Sequence, residues 1–368
     1  MKNPKERIII ALFLLLALIC IYGMAVFSSN EISISAKSAA LYEPCGKQFL
    51  YEKNADARLP MASTTKIMTA LIAVESNMLD EVIAVDDEAI GIEGSSMYLA
   101  KGEKILLRDL LYGVMLRSAN DAAAAVAFAV AGGIEEFAEL MNAKARELGC
   151  ANTNFTNPHG LDEREHYTTA RDLAVITARA LENPVFKEIV STKKCVVKNT
   201  DGLARLLVNH NKLLSLYDGA VGVKTGYTKR SGRCLVGATE KNGMMLISVT
   251  IDAPDDWNDH SMMLNYGYNN YEAYTLATPE SYNYRIPVLD SKLSYVEIKN
   301  ADSLTVVRRR GATVSSSVDL PRALIPPFKE GERVGTVSFT INGEYVGCVD
   351  LVTTSTKAQA KRGIFSIF

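Results

Sequence analysis

The hydrophobic period changes twice along this chain, and those changes limit its fold more than any single motif. Residues 32–54, "ISISAKSAALYEPCGKQFLYEKN", alternate around a Pro-Cys-Gly turn and predict the two strands of a hairpin. Between Ser63 and about Ser191 the apolar residues recur at helical spacing in "STTKIMTALIAVE", "LRDLLYGVMLRS", "NDAAAAVAFAVAGG", "IEEFAELMNAKARELG" and "ARDLAVITARALEN". "AVGVKTG", "GRCLVGATE" and "MMLISVTID" then read as neighbouring strands, and "DHSMMLNYGYNNYEAYTLA" as a returning helix. Strands at both ends with helices between them predict one sheet carrying an inserted helical block. From about Tyr282 short alternating segments take over, and Asn342-Gly343 is a strong two-residue hairpin signal. A separate small all-β domain, a β-sandwich, is expected over residues 282–354.

Length and charge narrow the class. At 368 residues, 48% of them hydrophobic, the chain has room for about two domains with cores of their own. Forty basic residues against 42 acidic ones give no bulk attraction to nucleic acid, and none is expected as a partner. Lys2, Lys5 and Arg7 precede an apolar run from Ile8 to Phe27. Such a run serves as a signal peptide, or as a membrane anchor if uncleaved, and either places the remainder outside the cytoplasm. Residues 1–29 are therefore read as export segment, 30–281 as a catalytic unit, 282–354 as the β domain and 355–368 as a tail. Beyond Cys20, the cysteines Cys45, Cys150, Cys195, Cys234 and Cys348 are odd in number and scattered, so neither a disulfide framework nor a zinc site can be read from them. The triplet Arg308, Arg309 and Arg310 reads as a solvated strand end.

Chemistry enters with "MASTTKIMTAL". Ser63 opens a helical pattern, so Lys66 stands on the same face one turn along, its amine within reach of the serine hydroxyl. A serine hydroxyl becomes a good nucleophile when a base removes its proton, and a lysine is that base only when neutral, which burial or a second cation promotes. The spacing alone is not specific: Ser191 and Lys194 repeat it, and an N-cap serine with a surface lysine explains either pair. Context separates them. Ser63 is followed by Ser118-Ala119-Asn120 at a helix junction and by Lys224-Thr225-Gly226 on a predicted strand, an order found in penicillin-binding proteins and class A β-lactamases. Ser118 can relay a proton, Asn120 can orient Lys66 or substrate, and Lys224 with Thr225 can bind a carboxylate while supplying the second cation. Gly226 leaves room for a ligand backbone at the strand edge.

With longer stretches such as "LYEKNADARLPMASTTKIMTAL" and "NTNFTNPHGLDEREHYTTARDLA", the chain resembles the serine-type D-alanyl-D-alanine carboxypeptidases of the low-molecular-mass penicillin-binding protein family. The resemblance implies an α/β (α+β) β-lactamase/transpeptidase-like catalytic domain, with a helical subdomain inserted in a five-stranded antiparallel sheet. It implies Ser63 as nucleophile, Lys66 as base, Ser118 as relay, Asn120, Lys224, Thr225 and Gly226 in substrate binding, and the N–H groups of Ser63 and Tyr227 as oxyanion hole. The substrate would be a peptidoglycan stem peptide ending in D-Ala-D-Ala, β-lactams would acylate Ser63 covalently, and no metal or cofactor would take part. Three features depart from the family pattern: Ala119 at the centre of the middle motif, His210 with no motif counterpart and expected at the rim, and a tail too short for an amphipathic anchor. Two other functions share the motifs: a β-lactamase, for which Asp162, Glu163 and Glu165 offer carboxylates, and a non-catalytic β-lactam- or peptidoglycan-binding relative. A Ser-His-Asp hydrolase is disfavoured, because there is no Gly-x-Ser-x-Gly elbow.

Overall fold

The computed structural model describes residues 32–354. The export segment expected at residues 1–29 and the tail 355–368 lie outside the described residues. The predicted hairpin forms as β1 (Ser38–Glu43) and β2 (Gln48–Lys53), its turn tied by the Glu43 carboxylate, which accepts from the N–H groups of Cys45 and Gly46. A single 3-10 turn, Ala62–Thr65, leads into α1 (Lys66–Glu75), which is buried at every position from Lys66 to Val74 and so must be covered on all sides. A ribbon of β3 (Val82–Ala84) and β4 (Lys104–Leu106) follows. Then come α2 (Leu107–Leu116), α3 (Asn120–Ala131), α4 (Ile134–Glu147), α5 (Ala170–Leu181) and α6 (Pro184–Ser191), all of which touch α1. Local signals set their ends. Gly132 closes α3 with φ +83°, the Thr169 hydroxyl caps α5, and Asn183 with Pro184 opens α6.

A hairpin that the periodicity did not reveal, β5 (Lys194–Lys198) with β6 (Ala204–Val208), and the single turn α7 (Leu213–Leu216) precede β7 (Ala220–Thr228), β8 (Gly232–Lys241) and β9 (Met244–Ile251). The main sheet runs β2-β1-β9-β8-β7 and is antiparallel throughout. The helical block is thus inserted between the two edge strands. Side chains alternate across the sheet: Ala40 and Tyr42 pack with the helical block, whereas Ala39 and Leu41 pack with Met263 and Leu264 of α8 (Asp256–Asn270). Covered on both faces, β1 is buried at every position.

The helix expected over 259–277 ends at Asn270. Residues 271–277 are instead strand β10 (Tyr271–Ala277), paired with β13 (Leu304–Arg309). Between them lie β11 (Asn283–Pro287) and β12 (Tyr295–Asn300), and after them β14 (Val314–Asp319), β15 (Arg333–Ile341) and β16 (Glu344–Thr353). A second five-stranded sheet, β11-β12-β16-β15-β14, encloses a core of Ile298, Val337, Phe339 and Leu351. Asn342 and Gly343 join β15 to β16 with φ of +50° and +88°, as a type I′ turn requires. Of the arginine triplet, Arg308 lies 3.5 Å above the Tyr274 ring and pairs with Glu272, which also holds Arg310, while Arg309 and Arg310 are exposed at the strand end as expected. The five described cysteines are free thiols.

Candidate active site

Ser63 sits in a bent turn. Ala62 adopts φ +48°, a left-handed conformation rare outside glycine, and the Thr64 and Thr65 hydroxyls hold it by donating to the Met61 and Ala62 carbonyls (2.6 and 2.7 Å). Lys66 follows with its side chain fully buried. Its Nζ lies 3.0 Å from Ser63 Oγ, 2.7 Å from Asn120 Oδ1 and 2.5 Å from the His159 carbonyl oxygen. The competing pair is not assembled: Ser191 ends α6 with its hydroxyl donating to the Glu188 carbonyl, and Lys194 is exposed on β5.

The three neighbours of Lys66 suit either form of its amine. An ammonium gives one N–H to each, Ser63 Oγ included, whereas a neutral amine gives one to each of the two oxygens that only accept and keeps a lone pair for the Ser63 hydroxyl. Burial, and after it the charge of Lys224, drives Lys66 well below the usual lysine range against the opposing pull of Asp121. Lys224 on β7 is itself buried, and burial brings it to about 7. The charge of Lys224 thus adds to burial in favouring the neutral form of Lys66.

Asn120 opens α3 just after Ser118, whose φ of +59° makes the sharp turn between α2 and α3. The Asn120 Nδ2 donates to the Glu93 carbonyl (2.5 Å), which leaves Oδ1 facing Lys66. Next to it, Asp121 accepts from Ser96 Oγ and from the N–H groups of Met97 and Leu99, strapping that loop over the site. Ser63, Ser118, Thr225, Gly226 and Tyr227 line one cleft of about 390 Å³, with Ser95, His210, Lys212, Arg233, Asp256 and Trp257 around them. His210, read as a packing or rim residue, is exposed and lines this cleft. Lys224 lines no part of it, and its Nζ donates to the Thr225 carbonyl (2.8 Å). The room left by Gly226 is taken by the Ser63 turn rather than by a ligand: a Cβ there would stand 3.1 Å from both Ser63 N and Ala62 Cβ.

Several residues that support the site carried no motif. The segment Asn157–Leu161 runs behind the serine, and Gly160 (φ +87°) approaches so closely that a Cβ would lie 2.0 Å from the Ala62 carbonyl oxygen. His166 completes the support. Its Nδ1 accepts from the Thr156 N–H (3.1 Å), so the proton is on Nε2 and is donated to Thr65 Oγ1 (2.8 Å). Burial holds His166 near 4 and His159 near 3, and His260, enclosed between Ser248 and Thr250, near 3. These folded values lie below the unfolded one of about 6.5, so the unfolded chain binds more protons in acid. Stability is therefore expected to be fully present above about pH 6.5 and to fall toward pH 4 by up to about 1.4 kcal/mol per pH unit for each histidine. Urea unfolding at pH 7, 6 and 5 checks this, and a stability flat over that range would contradict it.

A buried lysine of lowered basicity beside a cleft-facing serine points to the class of acyl-serine enzymes. The comparisons identify the member: the family profile for D-alanyl-D-alanine carboxypeptidase matches residues 25–255, and that for the C-terminal domain of penicillin-binding protein 5 matches residues 271–358. The chain belongs to the D-alanyl-D-alanine carboxypeptidase family. It is 32% identical to D-alanyl-D-alanine carboxypeptidase DacF of Bacillus subtilis, over 86% of this chain and 84% of that protein. With DacC of Escherichia coli it shares 32% identity over 85% of this chain and 82% of that one. Penicillin-binding protein 5 of Haemophilus influenzae superposes with a TM-score of 0.71 at 26% identity, covering 89% of this chain and 99% of that one.

Proposed function

We propose that this chain is a serine-type D-alanyl-D-alanine carboxypeptidase that removes the terminal D-alanine from peptidoglycan stem peptides through an acyl-Ser63 intermediate, in the cell envelope. The observation that carries this is the set of contacts at Lys66: two pure acceptors and one serine hydroxyl around a buried amine. Lys66 would take the Ser63 proton as Oγ attacks the carbonyl between the two D-alanines. The N–H groups of Ser63 and Tyr227 would hold the oxyanion, a contribution for which one donor typically carries about a hundredfold in rate. Ser118 would pass a proton to the departing amine, Asn120 would keep Lys66 aligned, and Thr225 would form the carboxylate side of the site, whereas Lys224, expected to share that task, is buried and lines no part of the cleft. Water would then release the acyl group and regenerate Ser63. A β-lactam would acylate the same oxygen and leave slowly.

In this reading residues 30–281 are catalytic and 282–354 a β domain, with strand β10 of the first part pairing with β13 of the second. The apolar run at 8–27 would export the chain and, if uncleaved, attach it to the membrane; no described helix is long and apolar enough to cross one. A β-lactamase is less well supported, because Asp162, Glu163 and Glu165 are exposed and none lines the cleft. The test is to incubate the protein with a labelled penicillin and, separately, with a pentapeptide ending in D-Ala-D-Ala, then locate the adduct by tryptic mass spectrometry. Label is expected on the peptide from Leu59 to Lys66, at Ser63, together with release of free D-alanine. Label on any other residue would sink the reading, and fast penicillin turnover without D-alanine release would favour the β-lactamase.

A further inference from the structure

We infer that Arg233, steadied by Asp256, recognises the free carboxylate of the substrate and thereby selects a chain end over an internal peptide bond. The inference rests on the acyl-Ser63 reading and names the group that sets its specificity. Strand parity carries the first step. Lys224 and Gly226 point toward the Ser63 turn, so Thr225 and Tyr227, one residue out of step, point to the opposite face of β7. Arg233 on β8 pairs directly with Tyr227 and therefore stands on the face that Thr225 and Tyr227 share. A carboxylate held by the Thr225 hydroxyl meets Arg233 there, while Lys224 is 1% exposed and lies on the other side of the strand.

The guanidinium is also free to bind. Its side chain is 44% exposed in the cleft, and Nη2 donates to Asp256 Oδ1 at 2.7 Å, Asp256 itself being only 4% exposed. Among the described residues no other side chain or carbonyl takes the remaining N–H groups, which leaves part of a planar donor fork of the kind that pairs with carboxylates. Asp256 is a positioning residue: the same Oδ1 accepts the Trp257 N–H (2.9 Å) at the start of α8, so the carboxylate is fixed before the arginine meets it. Lys224 and Arg233 then have separate tasks, the first lowering the basicity threshold at Lys66 and the second reading the substrate's charge.

The experiment compares kcat/KM for two substrates, diacetyl-lysyl-D-alanyl-D-alanine with a free carboxylate and the same peptide as its C-terminal amide. The wild-type protein is expected to prefer the acid at least tenfold. Arg233→Gln is expected to lower kcat/KM for the acid roughly 10- to 100-fold more than for the amide, mostly through KM, and Arg233→Lys to restore part of the preference. Asp256→Asn is expected to weaken the preference by a smaller factor. Equal losses on acid and amide in Arg233→Gln, in a protein that still melts cooperatively, would make Arg233 structural and overturn the inference, as would a wild-type enzyme indifferent to the carboxylate. If the wild-type protein cleaved neither peptide, the carboxypeptidase reading itself would fall.

Discussion

Replacing Lys66 by methionine is expected to lower kcat/KM for D-alanine release by about a thousandfold or more, the range that removal of a positioned general base gives. Methionine keeps most of the volume but leaves Ser63 Oγ with no partner to take its proton. The sharper variant is Lys66→Arg, which keeps a cation and more donors, yet a guanidinium does not lose its proton at accessible pH. If the amine acts as a base, Lys66→Arg is as inactive as Lys66→Met. If it acts only as a positive charge, Lys66→Arg retains much of the activity, and the assignment is wrong. Stopped-flow acylation by a chromogenic β-lactam measures the step directly. Lys66→Met will also change stability, because Asn120 Oδ1 and the His159 carbonyl each lose a donor at a cost of roughly 1–3 kcal/mol when left buried and unpaired.

The second large effect is expected at a residue with no chemistry of its own. Gly160→Ala places a methyl 2.0 Å from the Ala62 carbonyl oxygen and 2.9 Å from Thr65 Oγ1, at a φ of +87° that a side chain resists. The nearest atoms are backbone, so they cannot swing aside. Either the Ser63 turn moves or the His159 carbonyl leaves Lys66, and displacement of reacting groups by about 1 Å costs on the order of a hundredfold in rate. Gly160→Ala is therefore expected to lose at least that much activity and to unfold several degrees earlier. Gly102→Ala is the control: its φ is +67° but no atom lies within 4 Å of the new methyl, so it carries the backbone strain without the clash. Melting temperature and kcat/KM for the two variants separate the effects, and a Gly160→Ala protein with near-normal kinetics would show that the turn tolerates displacement.

The parts of the fold that were legible in the sequence are those in which a local period matches the environment. β7, β8 and β9 showed themselves as short apolar runs, and the helical block showed its stripes, because each element needs only its own neighbours to declare a buried face. The strand at Tyr271–Ala277 did not. Its tyrosines extend the spacing of α8, and what makes it a strand is β13, more than thirty residues away. The β5–β6 hairpin was hidden similarly, since it exposes Val196 and Leu206 and so lacks a clean alternation. At the site, the spacing of Ser63 and Lys66 is helix geometry and was readable. The His159 carbonyl and the space occupied by Gly160 were not, because backbone contacts leave no side-chain signature. Arg233 lay beside a recognised motif without belonging to it, and only strand pairing shows which face it occupies.

The insertion of the helical block has a consequence for the order in which the molecule becomes active. A chain synthesised from its N-terminus presents Ser63 and Lys66 long before β7, the edge strand that packs on the Ser63 turn and carries Lys224. Asn120 and the His159 carbonyl meet Lys66 from within the inserted block, but the Lys224 charge that further lowers its basicity arrives only with β7. The last part of that shift is therefore tied to closure of the sheet around the Ser63 turn.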